Sequence, residues 1–136
     1  MVGDANCIKG LGDIALARRD HAAARLAYEE ARPLYRQAGS VLGEANCIFG
    51  LGDIALARTD HAAAGSAYEE ARPLYRQAGS VRGEANCIFG RGDVALASSD
   101  HAAARLAYEK ALPLYRQSGS VEGEKRCLDK LAKLRT

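Results

Sequence analysis

The chain has 136 residues, a mass of 14.5 kDa and a formal charge of +2, with Lys and Arg interspersed among Asp and Glu. That balance leaves no basic face for nucleic acid. No apolar run reaches the ~18 residues of a membrane span, and the N-terminus has no charged stretch followed by an apolar one. The chain therefore reads as one soluble, unexported domain covering residues 1–136.

The first forty residues carry Cys7-Ile8, Leu11-Gly12-Asp13, Asp20-His21-Ala22-Ala23-Ala24, Ala27-Tyr28-Glu29 and Pro33-Leu34-Tyr35-Arg36-Gln37. These motifs return 40 residues later and again after that, at Cys47-Ile48 and Cys87-Ile88, at Asp60-His61 and Asp100-His101, and at Pro73-Leu74-Tyr75 and Pro113-Leu114-Tyr115. A fixed period in this range is the signature of a solenoid, one supersecondary unit stacked on copies of itself. Residues that carry chemistry usually occur once, and here every polar cluster is triplicated, so the expectation is a protein without catalysis. Met1-Val2-Gly3 lacks the Ser that opens the other copies, so the first repeat reads as uncapped and open to association with another molecule.

The second copy, residues 41–80, shows the unit most clearly. Gly39 reads as the residue just past one helix and Ser40 as the N-cap of the next. From Val41 to about Arg58 the apolar positions Ala45, Ile48, Leu51, Ala55 and Leu56 recur at helical spacing and define a helix A. Thr59-Asp60 ends it, and the Asp60 carboxylate suits the free amides of a helix B that opens at His61. Helix B runs to about Ala78 with Ala64, Ala67, Tyr68, Ala71, Leu74 and Tyr75 on its apolar side, and Gly79 closes it. Pro73 inside helix B, like Pro33 and Pro113 in their copies, predicts a bend or a break, at ~3 kcal/mol for an interior proline. Small residues such as Gly12, Ala24 and Ala31 allow close backbone approach, and Tyr28, Tyr68 and Tyr108 are expected to fill the gaps between repeats. Gly65-Ser66 costs ~1 kcal/mol against better helix formers and makes this helix B the softest.

The third copy, residues 81–120, places Arg91 where Leu11 and Leu51 stand, a charge at an apolar position. The expectation is an arginine that lays its stem on the core and carries its guanidinium to a carboxylate or to water. Residues 121–136 start like another helix A, through Val121, Gly123, Glu124, Cys127, Leu128 and Leu131, but turn polar elsewhere, with Asp129 for Phe89 and Lys130 for Gly90. That is the pattern of a capping helix with one face on the last repeat and the other in water. The cysteines, Cys7, Cys47, Cys87 and Cys127, fall one per repeat. Equivalent positions in successive helix pairs lie at least ~8–10 Å apart, beyond the ~7 Å reach of a disulfide. They read as small buried apolar residues in a reducing compartment, the cytoplasm.

These residues resemble the tetratricopeptide repeat family: Ile48, Leu51-Gly52, Ala55, Asp60-His61, Ala64, Tyr68 and Ala71 fall at its offsets, and Ile8, Leu11-Gly12, Ala15, Ala24, Tyr28 and Ala31 repeat them. The period of 40 exceeds the usual 34. It resembles the long variety of kinesin light chains, of LGN/Pins scaffolds and of the sensor arms of some NTPase receptors. The resemblance implies an all-α, right-handed superhelical solenoid: three hairpins (1–40, 41–80, 81–120) and a capping helix (121–136), seven helices in all.

It also implies that the A helices line a concave groove. Counting in this chain gives a column of Asn6, Asn46, Asn86 and then Arg126, a column of Lys9, Phe49 and Phe89, a column of Asp13, Asp53 and Asp93, and a column of Leu16, Leu56 and Leu96. Spacings of three and four put Asn46, Phe49 and Asp53 on one stripe. An Asn amide both donates and accepts, so its column suits an extended backbone of any sequence; Phe supplies an apolar platform, and Asp favours a basic or amine-bearing ligand. The competing reading is that Asn and Asp merely solvate helix A while Phe49 and Phe89 pack between repeats.

Other motifs carry less. Arg91-Gly92-Asp93 lies inside helix A and arises from one substitution, and Gly10-Leu11-Gly12 has no strand before it. The His21, His61 and His101 column lacks ligand spacing to the cysteines, so neither metal nor cofactor is expected. The expected function is a scaffold that binds a protein or peptide segment, basic or extended, on the concave face. The alternative is a structural module, or part of a receptor's sensor arm, that self-associates through its repeats.

Overall fold

The computed structural model describes residues 2–135, which form α1 (Val2–Ala17), α2 (His21–Ala38), α3 (Val41–Ala57), α4 (His61–Gln77), α5 (Val81–Ala97), α6 (His101–Ser118) and α7 (Val121–Leu134), with no strand among them. Met1, on which the uncapped reading of the first repeat partly falls, and Thr136 lie outside the described residues. Each helix packs against its neighbours in sequence, giving three hairpins and a last single helix in a solenoid.

Two turns, each used three times, fix the helix boundaries. Between the helices of a hairpin, Asp20, Asp60 and Asp100 accept the amides of Ala23, Ala63 and Ala103 at 3.1–3.2 Å. The same residues close the preceding helix, as Asp20 N–H reaches the Ala15 carbonyl at 2.8 Å and Arg19 N–H reaches Leu16 at 3.0 Å. The residue in between takes the left-handed conformation without being glycine: Arg19, Thr59 and Ser99 sit at φ 60–63°. Between hairpins that place is held by Gly39, Gly79 and Gly119 (φ 73–76°), where the left-handed C′ position favours glycine. Ser40, Ser80 and Ser120 then cap the next helix through Gly43, Gly83 and Gly123 at 3.0–3.2 Å. One residue thus ends one helix and begins the next, which keeps the hairpins tight.

Each B helix runs unbroken through its proline, so the break allowed by Pro33, Pro73 and Pro113 does not occur. The carbonyls that lose a partner belong to Glu29, Glu69 and Glu109, all on the exposed side, where water can satisfy them.

The core is a row of tyrosines set into glycines. Tyr28 lies against Gly12 of its own hairpin on one side and against Gly50 of the next on the other; a Cβ at Gly50 would stand 2.7 Å from the ring. Tyr35 covers Gly43 still more closely, at 2.2 Å. Tyr68 and Tyr75 repeat this against Gly52, Gly90 and Gly83. Ala24 and Ala31, in the same cluster as Tyr28 and Tyr35, are fully buried. An A helix is therefore clamped between two B helices, and in α3 Cys47, Gly50 and Ile54 are buried along with Ala45 and Ile48. The single apolar stripe read from the sequence missed this second face, while Leu51, Ala55 and Leu56 are only half-buried.

Both ends depart from the repeat. Cys47, Cys87 and Cys127 are buried, but Cys7 is exposed, correcting the expectation that all four sit in the core. Among the described residues no B helix packs on the outer face of α1, so Leu11 and Ile14 are 65% and 52% exposed where Leu51 is half-buried and Ile54 buried. At the other end α7 buries Gly123, Cys127 and Leu131. Its Leu128, aligned with the buried Ile48 and Ile88, is 46% exposed because among the described residues nothing packs on the far side, and Val121 is 79% exposed.

Candidate functional site

The polar columns of the A helices are tied to the B helices by tyrosine hydroxyls. Tyr28, Tyr68 and Tyr108 each donate to Asp13, Asp53 and Asp93 of their own hairpin at 2.6 Å. Tyr35, Tyr75 and Tyr115 donate to the Oδ1 of Asn6, Asn46 and Asn86 at 2.5–2.6 Å. The rings fill the core and the hydroxyls emerge on the A-helix face, which satisfies an otherwise buried polar atom. Burial and the adjoining carboxylates push the phenols well above their usual range, so they stay donors. None of the sequence patterns exposed this pairing. The Asn and Asp columns accordingly do not face away from helix B: one oxygen of each is committed, leaving the Asn amide nitrogen and the second Asp oxygen for other partners.

The Phe column is also less exposed than a platform requires. Phe49 packs on Tyr68 and Tyr75 of its own hairpin, with ring centroids 5.4 and 6.4 Å apart. Phe89 does the same with Tyr108 and Tyr115, at 5.0 and 6.3 Å, and is buried. The Arg126 guanidinium lies 5.0 Å over the Phe89 ring, a cation–π contact that roofs it. Phe49 has no such cover, since Asn86 rather than an arginine stands at the equivalent place, and it remains half-buried.

Around Phe49 a cleft of about 180 Å³ opens between α3, α5 and α7. Six of the residues singled out from the sequence line it: Phe49, Asp53, Asn86, Phe89, Asp93 and Arg126. Leu56, Tyr68, Gly90 and Tyr115 complete the wall. Asn6, Lys9, Asp13 and Asn46 lie on the same columns outside this cleft.

Charge distinguishes the three aspartates. Lys9 bonds Asp13 at 2.8 Å one turn away, and Lys130 stands 3.5 Å from Asp93. Asp53 has Phe49 where Asp13 has Lys9, and no salt bridge reaches it among the described residues. Desolvation pushes its carboxyl up to about 6, opposed by the Tyr68 hydroxyl, raised further by Asp93 and lowered by Arg126. A carboxylate held partly out of water with no cation of its own is a place where an incoming amine or guanidinium gains most. Arg91 stands apart from this face. It pairs with Glu69 on α4, the carboxylate partner its reading anticipated, but its side chain is exposed rather than laid on the core.

Comparison with known proteins matches the architecture. A family model described as tetratricopeptide repeat matches residues 43–117. Among solved structures, the N-terminal domain of stress-induced protein-1 (STI-1) from C. elegans superposes with a TM-score of 0.74 at 18% identity, covering 100% of this chain and 98% of that one. BtubC (BKLC) from P. vanneervenii gives 0.70 at 16% identity, covering 96% of this chain and 63% of its own. Identities this low bear on the fold alone. No curated protein matches the chain.

Proposed function

The chain belongs to the tetratricopeptide repeat family, and on that premise we propose that it is a non-catalytic scaffold of the long-repeat variety that captures a basic, extended peptide segment in the cleft between α3, α5 and α7. The observation that carries the reading is Asp53, a half-buried carboxylate without an ion pair, beside the uncovered edge of Phe49. A lysine or arginine of the ligand would meet Asp53 and Asp93, its aliphatic stem would lie on Phe49, the amide nitrogen of Asn86 would donate to a backbone carbonyl in the cleft, and that of Asn46, on the same column, to one just beyond it. The buried thiols Cys47, Cys87 and Cys127 suit a reducing compartment, and we place the protein in the cytoplasm.

The test is isosteric. Asp53→Asn with Asp93→Asn keeps an oxygen for each tyrosine hydroxyl and removes the charge. Affinity for an acetylated peptide of alternating lysine and alanine should fall roughly tenfold or more, with unchanged far-UV helicity; undiminished affinity would falsify the reading. Asn46→Ala with Asn86→Ala strips the acceptors of Tyr75 and Tyr115 as well as the amides. It is therefore read against Tyr75→Phe with Tyr115→Phe, which loses the same bonds and keeps the amides.

A second reading rests on a different observation. Gly3 and Gly10 of α1 have open space where Gly43 and Gly50 meet the rings of Tyr35 and Tyr28. With the exposed Cys7, Leu11 and Ile14 they form an acceptor for a B-type helix, which supports self-association through the first repeat.

A further inference from the structure

A second cleft, larger than the first, lies between α2 and α4 over α3, with a volume of about 710 Å³. Volumes of this order are typical of ligand sites. Its floor is apolar, made by Leu51, Ile54, Ala55, Ala63 and Ala67. Arg25, Arg32 and Arg58 stand on the rim beside Glu29 and Asp60. The ion pair of Arg32 with Glu70 at 2.5 Å ties α2 to α4, which closes the cleft there.

The acids of the rim are already engaged. Glu29 bonds Arg25 at 3.1 Å, and Asp60 accepts the Ala63 amide at 3.1 Å. Arg58 is exposed and has no ion pair among the described residues, whereas Arg32 is held by Glu70 at 2.5 Å and by Glu44 at 3.9 Å. Three arginines against two carboxylates leave the rim net cationic, with Arg58 its unpaired member, opposite to the charge of the A-helix face.

One repeat further on, the molecule fills the equivalent space itself. Gly65 replaces Arg25, Arg91 replaces Leu51 and Ser98 replaces Arg58. Glu69, deprived of the arginine that Glu29 has one turn before it, takes Arg91 from the next helix instead. Ser98 Oγ meets His61 Nδ1 at 3.3 Å across the same gap. The substitutions at 65 and 91 are coupled: removing an arginine from the B helix leaves both the room and the unmatched carboxylate that the arginine of the A helix uses. The first junction, lacking that plug, stays open over an apolar floor.

We propose that the α2–α4 cleft docks an amphipathic helical segment of another protein, leucine-like side chains entering over Leu51 and Ile54 and a flanking carboxylate meeting Arg58. A gap between two packed helices accepts the side-chain ridge of a third, and the rim selects acidic over basic partners. The site does not depend on the proposed function of the A-helix face.

The probe is a labelled amphipathic helical peptide with leucines on one face and glutamates beside them, followed by fluorescence anisotropy against the whole chain. Saturable binding is expected, and replacing every glutamate by lysine should weaken it roughly tenfold or more. Arg25→Gly with Leu51→Arg transplants the plugged arrangement of the next junction and should abolish binding at unchanged helicity. Ala63→Glu, on the exposed first turn of α4, should do the same by charge alone, so a poorly folded double variant leaves the test intact. Asp53→Asn should have no effect. Equal affinity for the lysine peptide, binding retained in both cleft variants, or uptake of the small anion 8-anilinonaphthalene-1-sulfonate without uptake of the peptide would each overturn the proposal.

Discussion

Tyr68 serves two structures at once. Its ring is wedged between Gly52 and Gly90, and its hydroxyl donates to Asp53. That bond holds the Asp53 carboxyl lower than burial alone would leave it, although the net position is still raised, to about 6. Tyr68→Phe should therefore cost about 1.5–3 kcal/mol, the range for a hydrogen bond to a charged group, and push the Asp53 titration higher, as read by carboxyl NMR. A titration left in place would mean that the hydroxyl does not reach the carboxylate in solution. The sign for stability follows from linkage: a carboxyl raised on folding favours the native state below about 3.8, its unfolded value, and that contribution is lost as pH rises through about 6. Nothing in the sequence revealed these bonds, because the partners lie 15 and 29 residues apart and meet only once the hairpin closes.

At the level of the helix, one residue type is used in two ways depending on what packs against it. Gly10 and Gly50 occupy the same place in α1 and α3, but only Gly50 faces a tyrosine ring. Gly50→Ala should destabilise the fold by about 1–3 kcal/mol through overpacking. Gly10→Ala should instead raise stability by up to ~1 kcal/mol, since alanine is the better helix former and meets nothing. Thermal unfolding of the two variants checks the pair, and a loss in Gly10→Ala would indicate that α1 is covered in solution. Helix boundaries were legible because Ser40, Asp60 and Gly79 are caps with local chemistry. Burial was less legible: a helix clamped from two sides buries more than one stripe, and Cys7 differs from Cys47 only by what is stacked on it.

Taken whole, the molecule is a stack whose identical units have been made unequal by a few substitutions. Lys9 against Phe49 leaves Asp53 without a cation, Asn86 against Arg126 leaves Phe49 without a roof, and Leu51 against Arg91 leaves one cleft open and fills the next. The sequence pointed to most of the residues that line the α3–α5–α7 cleft, since a helical column is readable from spacing. It could not show which of them are spent on tyrosines and roofs, because that depends on contacts between repeats. The α2–α4 cleft was invisible for the same reason. If the A-helix face takes a basic segment through Asp53, its affinity must follow the ionisation of that carboxyl. The decisive measurement is titration calorimetry with the lysine–alanine peptide across pH 5 to 8, where the lysines remain charged. Affinity should climb as pH rises through about 6, and Asp53→Asn should flatten the curve. A wild-type affinity that does not change with pH, or a climb that persists in Asp53→Asn, would contradict it.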